Sequence, residues 1–415
     1  MNLKRELNFF DVFCLGVNSI VGSGIYLFPG LLAGALGPAS ITVFPVTGLL
    51  LIPVALCFAH MAARYETNGG PYLYARDAFG LWVGYAVGWS AWITSLVSIA
   101  AVANAISSYL AYFSPSFETW TGSKLTALSV VTALGILNYR GVKPAAWTAN
   151  FFTVAKLIPL FLFILIGLAF LEPGNLTPFA PKGYGSMGPM LLLAFFAFQG
   201  FENVPVPSGE AKFPKRDAPR ATVWSLLGSI VLYTVIQTVA VCVYPNLAGS
   251  SRPLAEAAAH IVPALATLLA AGAAISTLGY TTGASLGAPR YLYALGTSGV
   301  FPQIVSRVHP RFGTPYLAIM IHSVICLVLV LVLDFKKLVD FANIVVCLQY
   351  FVTCGAVLKL EKTKTLTGVL GMGAVLALAY QTKTPEIIGC LAVLAAGLAI
   401  SLAYKKWNQP ALGAP

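Results

Sequence analysis

Charged residues cut the chain into long uncharged runs separated by short charged stretches. A helix that crosses a bilayer needs about 20 mostly apolar residues, so each run is measured against that length. Val12 to Ala63 carries no charge and is long enough for two spans, with Gly37-Pro38 as the turn between them. Ala78 to Phe117 supplies a third span, Leu125 to Tyr139 a fourth, and Pro144 to Leu171 a fifth, interrupted only by Lys156. Gly183 to Phe201 begins the sixth, which includes Glu202 and reaches Pro207. Ala221 to Ser251, Ala257 to Pro289, Phe312 to Leu333, Phe341 to Leu358, Leu366 to Thr382 and Ile387 to Tyr404 supply the rest. The pattern predicts an all-α membrane protein with 12 transmembrane helices.

Composition agrees with that pattern. Of 415 residues, 58% are apolar and 9% charged, and the mean hydropathy is +0.81. Soluble domains carry about 25% charged residues, so a solvated surface around several cores is excluded. Twelve spans use about 240 residues, which leaves short loops and no room for a soluble catalytic domain.

The net charge of +11 could suggest nucleic acid, but the basic residues are scattered rather than patched. With the N-terminus placed in the cytoplasm, the inner segments hold 18 Lys and Arg and the outer ones 6, the latter being Lys124, Lys182, Arg252, Lys336, Lys337 and Lys383. That asymmetry predicts both termini inside and explains the basic balance without an anionic partner. The seven cysteines, at 14, 57, 242, 326, 347, 354 and 390, all lie in apolar stretches and form no CxxC, so they are expected as small core residues. The basic start, with Lys4 and Arg5, runs into far more apolar sequence than a signal peptide has.

Two spans carry sequence that breaks a helix. The first reads Asn18-Ser19-Ile20-Val21-Gly22-Ser23-Gly24-Ile25, with glycines flanking a hydroxyl residue at mid-span. A break there frees the N–H groups of Ser23, Gly24 and Ile25 at the start of a half-helix, where free donors and the helix dipole bind carboxylates. Equally, Gly22 and Gly24 could serve only to let another helix pack closely. The sixth span reads Phe195-Phe196-Ala197-Phe198-Gln199-Gly200-Phe201-Glu202-Asn203-Val204-Pro205. Non-helical backbone at membrane depth is tolerated only where it lines a cavity or is buried in protein. Two interrupted helices, five spans apart, are the expected mark of inverted repeats with a substrate site at their interface.

These residues resemble the amino acid–polyamine–organocation (APC) transporters. The resemblance rests on Val21-Gly22-Ser23-Gly24-Ile25, on Ala62 to Tyr72 with Ala78-Phe79-Gly80, on Phe195 to Glu202, on Glu210 to Ala221, and on Pro289 to Ala294 with Gly299 to Pro302. It covers about residues 8 to 320 in order. It implies a LeuT-type fold, a 5+5 inverted repeat followed by two C-terminal helices, with helices 1 and 6 broken. The repeats would take residues 1–175 and 176–360, with 361–415 as the last two helices and the tail. It also implies amino acid transport by alternating access. By position, the substrate carboxylate would meet Gly22, Ser23, Gly24 and Ile25. The amino group would meet carbonyls near Ile20, Val21, Phe195, Phe196 and Phe198. Phe196, Gln199 and Phe201 would shape the side-chain pocket and inner gate, with Gly200 and Glu202 also among the substrate-binding residues.

Lys156 is the one basic residue inside a span. A charge at that depth is a functional candidate by default, against the alternative of snorkelling to the interface. A subset of the family carries a lysine at this place, where it can load and unload a proton because burial disfavours the charged amine. The hydroxyl expected to face it falls on Tyr280, with Thr277 or Thr281 as substitutes. Glu202 either satisfies N–H groups freed by its own break or contacts a cationic substrate. His60 is expected as a hydrogen-bonded structural histidine.

Enzyme chemistry finds no support. His260, His309 and His322 lack ligand spacing, and Gly283-Ala284-Ser285-Leu286-Gly287 matches GxSxG inside an apolar helix rather than a strand-to-helix turn. Gly279, Gly283 and Gly287 are instead expected to form one small-residue packing stripe. No metal or cofactor is expected. The partners are an amino acid, a proton and the lipid bilayer.

The leading expectation is a secondary transporter in a plasma (inner) membrane, proton-coupled, for neutral or apolar amino acids. An amino acid exchanger or a cationic amino acid or polyamine transporter is the alternative, and an amino-acid-sensing receptor a remote one.

Overall fold

A computed structural model describes residues 3–111, 114–250, 252–332, 336–382 and 384–408. Among these residues every named element is helical. In chain order they are α1 (Phe9–Ile20), α2 (Gly24–Leu36), α3 (Val43–Ala62), α4 (Pro71–Phe79), α5 (Leu81–Leu110), α6 (Trp120–Arg140), α7 (Val142–Gly167), α8 (Met187–Phe198), α9 (Pro214–Val243), α10 (Pro253–Ile261), α11 (Pro263–Thr297), α12 (Tyr316–Val332), α13 (Lys336–Leu360), α14 (Thr365–Ala379) and α15 (Thr384–Asn408), joined by short 3₁₀ turns. Ser251, Leu333 and Lys383, and the side chains of Lys336, Lys337, Lys405 and Lys406, lie outside the described residues.

Eight stretches among the described residues are long and apolar enough to cross a membrane, the first of which, Phe9–Ala62, contains α1, α2 and α3. The outer surface explains the composition. On α7, Trp147, Phe151, Val154, Ile158, Phe161 and Leu165 are all at least half exposed. They recur every three or four residues, so they form one face of the helix. Such a stripe would be untenable in water and suits lipid. Lys156 lies on the opposite face, fully buried.

Inside, α11 packs against α5, α7 and α1, while α9 packs against α3 and α1. The seven cysteines are free and buried. Of the predicted glycine stripe, Gly279 and Gly283 meet Asn18 and Ser19 of α1, but a side chain at Gly287 would meet nothing within 4 Å. Two crossing helices touch over a limited length, so the stripe ends after two of its three members.

Several helices outrun their predicted spans. The third run opens on the last residues of α4 and its span is α5. At some other runs, charge ends the apolar segment but not the helix. Thus α13 begins at Lys336 and α9 at Pro214, which puts Arg216 and Arg220 in helical turns. Most telling is α11, which continues past Pro289 to Thr297 and carries Arg290 fully buried. Its charge is met by Glu210, whose two carboxylate oxygens accept from Nε and Nη2 at 2.8 Å each. Asn68 joins them: its Oδ1 accepts from Gly209 N–H at 2.7 Å. The carbonyl of Glu210 also accepts the N–H groups of Glu6 and Leu7, at 2.9 and 3.0 Å, and Lys212 N–H returns to Leu7 O at 2.8 Å. One residue therefore ties the N-terminal segment, the segment before α9 and the end of α11 together.

Candidate functional site

The first predicted break is present as a stretch of non-helical backbone, Val21 to Ser23, between α1 and α2. Val21 turns away from helical geometry with φ −76° and ψ 89°. Four carbonyls at this end of α1 are taken by side chains from three other helices. Lys156 Nζ of α7 donates to Asn18 O at 2.9 Å and also to Val21 O. Tyr233 of α9 donates at Ile20 O, 3.0 Å away, and also stands 3.2 Å from Ala197 O. Ser276 Oγ of α11 lies 3.1 Å from both Val21 O and Gly22 O. Orphan carbonyls at a helix end must find partners when buried, and these side chains supply them.

The start of α2 is the reverse case. The N–H groups of Gly22, Ser23, Gly24 and Ile25 donate to no protein acceptor among the described residues, and Ser23 makes no side-chain cap. Free donors at a helix N-terminus attract an anion. The two readings of the glycines divide between them. A Cβ on Gly24 would press on Ala197 at 3.0 Å and Phe28 at 3.2 Å, so Gly24 is a packing glycine. At Gly22 a Cβ would meet only the Tyr280 ring at ordinary contact, 3.6 Å.

The sixth span breaks at Gln199-Gly200, after α8 ends at Phe198. Gly200 has φ +132°, and a Cβ there would lie 2.4 Å from the backbone of Ser19. Both the backbone conformation and the close approach require glycine. This contact brings the two breaks together. Glu202, almost fully buried, accepts from Gly200 N–H and from the hydroxyl of Tyr350 of α13, at 2.7 Å each. Phe196 stands against Phe28 with ring centroids 6.2 Å apart, and Phe195 and Phe201 pack edge-on and tilted against Tyr350. The remaining predicted amino-group contacts are mixed: Phe196 O accepts from Gln199 N–H at 3.3 Å, and Phe198 is fully buried.

The predicted hydroxyl partners of Lys156 have other roles in this structure. Thr277 bonds Ala273 O of its own helix at 2.7 Å, and Thr281 bonds Leu278 O at 2.8 Å. Tyr280 lies over Gly22, its ring 3.6 Å from where a Cβ on that glycine would stand. The hydroxyl of α11 that reaches the break is Ser276, one turn earlier. Nothing local in the sequence marks Ser276 or Tyr233 as side chains that cap a helix distant in the chain. Their only signal was that each is a hydroxyl inside an apolar span.

The architecture matches that of a solved structure, MhsT in complex with L-phenylalanine, with a TM-score of 0.63 at 14% identity, covering 96% of this chain and 100% of that one. The fold is of the LeuT type. Residues 7–406 match the family model described as amino acid permease, and the chain belongs to that family, within the APC superfamily. The branched-chain amino acid permease BcaP of Bacillus subtilis is 28% identical over 383 residues, 87% of this chain and 82% of that protein. The cationic amino acid transporter 4 of Mus musculus is 30% identical over 385 residues, 88% of this chain and 61% of the mouse protein. The protein is a multi-pass membrane permease.

Proposed function

We propose that the chain moves neutral amino acids across the plasma membrane by alternating access, coupled to a proton carried by Lys156, with both termini cytoplasmic. The observation that carries this reading is the pairing of helix ends at membrane depth. The start of α2 offers N–H groups without acceptors, and the carbonyl ends of α1 and α8 lie beside it. A free amino acid is a zwitterion, and a dry site with one positive and one negative helix end matches both of its charges. In this reading Ser23, Gly24 and Ile25 hold the carboxylate. The ammonium meets carbonyls of the two breaks, and Phe196, Gln199 and Tyr280 surround the side chain. Residues 1–175 and 176–360 form the inverted repeats within twelve spans, and one repeat rocks against the other.

The partners of Lys156 support proton coupling. Among the described residues its Nζ bonds two carbonyls and no carboxylate. Two acceptors suit a neutral amine with two N–H bonds as well as an ammonium, so the group can change charge without losing its place.

The second reading, a cationic amino acid carrier or exchanger, is favoured by the name of the mouse relative. Glu202, the acid that would meet such a substrate, already accepts two hydrogen bonds. Counterflow of a labelled amino acid in proteoliposomes, followed by competition with all twenty, tests both readings. Accumulation driven by neutral amino acids is expected, and it should grow under an imposed pH gradient. Binding without counterflow would make the chain a receptor.

A further inference from the structure

Inside the bundle, Gln199 at the break after α8 donates from Nε2 to Oδ1 of Asn343 on α13 at 2.6 Å. Among the described residues neither carboxamide bonds anything else. Both side chains are part-exposed, whereas Phe198 and Gly200 beside the one, and Val345 and Val346 beside the other, are buried. Gly200 touches Ser19 of α1, so Gln199 lies where the two breaks meet at the centre of the bundle. Gly22, Ser23, Phe196 and Tyr280 around the same place are also part-exposed. These part-exposed groups gather around the meeting of the two breaks.

A bonded pair of amides uses one donor and one acceptor. It leaves a carbonyl oxygen on one partner and N–H donors on the other, whichever way round the amides are turned. We infer that these spare groups make the side-chain subsite selective for neutral amino acids that can form hydrogen bonds there, such as threonine, serine, asparagine or glutamine, over hydrocarbon side chains of the same shape. The inference rests on the transport reading above and narrows its substrate class. The physical reason is asymmetric. An apolar side chain pressed on the pair strips water from polar groups and leaves them unpaired, and sites built to hydrogen-bond reject analogues that cannot. An apolar pocket, by contrast, rejects an added hydroxyl by only about a hundredfold, and in favour of the methyl.

Threonine and valine differ by that one exchange, as asparagine and leucine nearly do. The test is competition against the labelled amino acid that gives the strongest counterflow, using the full chain in proteoliposomes. Threonine should compete at a concentration at least about tenfold lower than valine, and asparagine likewise against leucine. In Asn343→Leu the threonine-to-valine ratio should fall to about one or invert. Because the readout is a ratio within each preparation, it does not depend on how much of the variant folds. Valine competing as well as threonine in the unaltered protein would overturn the inference while leaving amino acid transport intact, and so would an unchanged ratio in Asn343→Leu. Failure of every amino acid to compete would instead remove the transport reading, and this inference with it.

Discussion

The two helix breaks touch each other but are stabilised in opposite ways. At the first, freed carbonyls are met by groups from far away in the chain, Lys156 on α7, Tyr233 on α9 and Ser276 on α11. At the second, a freed N–H is met from two residues away, by Glu202, with Tyr350 as support. Each titratable group suits its helix end, an amine at the carbonyl end of α1 and a carboxyl beside the N–H of Gly200. The lesson is one of mobility. A local cap travels with its helix through any rigid-body motion. A cap supplied by another helix is made and lost as the helices shift, so its state can report on, or drive, that shift. On the proposed mechanism, the first break is the place for a switch and the second for a fixed bend.

The sharpest way to break that contrast is at the start of α2. Ser23→Leu should weaken substrate binding at least about a hundredfold, or about 2.7 kcal/mol, with the folded yield kept, as judged by size exclusion and a binding assay. Unchanged affinity would return the glycine-flanked serine to a packing role.

Next comes Lys156. Lys156→Met removes both donors and leaves the carbonyl of Asn18 without its side-chain partner, about 1–3 kcal/mol, while Val21 O keeps Ser276. Uptake driven by a pH gradient should be lost, while some exchange remains. Lys156→Arg should also lose it, because a guanidinium does not release its proton in proteins. Proton-driven uptake by Lys156→Met equal to that of the unaltered chain would reject the switch.

A smaller effect is expected at the fixed bend. Glu202→Gln keeps an acceptor for Gly200 N–H, so transport should fall by less than about tenfold and keep its pH profile. A loss as deep as that of Lys156→Met would mean that both breaks switch.

The smallest effect belongs to Glu66, between α3 and α4, outside the spans. Lys215 and Arg5 beside it hold its carboxyl below the usual carboxylate range. A depressed acid stabilises the fold above its unfolded value, about 4.3, and loses that contribution as pH falls through the folded value. Glu66→Gln should therefore leave the pH dependence of transport near neutrality unchanged. A shifted neutral profile would place proton coupling at this surface and not at α7.

Much of this was determined by the sequence alone. Uncharged runs, one lysine inside a span, and glycines at mid-span specified a helical membrane protein with two interrupted helices. They could do so because lipid imposes its rule residue by residue: a charge or an unbonded backbone group costs the same wherever it sits in the chain. Helix ends were less legible. Arg290 looked like the end of a span, and only Glu210, folded against it, lets α11 run on. The partners at the first break were not legible at all. Whether Thr277, Tyr280 or Ser276 reaches Val21 depends on the rotation and register of α11 against α1, and a turn of one residue moves a side chain by about 100° around the helix. The pairing of Gln199 with Asn343 likewise joins residues from distant helices. Neighbours along the chain carry no information about such contacts. They arise only when helices pack, and that packing decided which side chains meet the backbone the sequence had already broken.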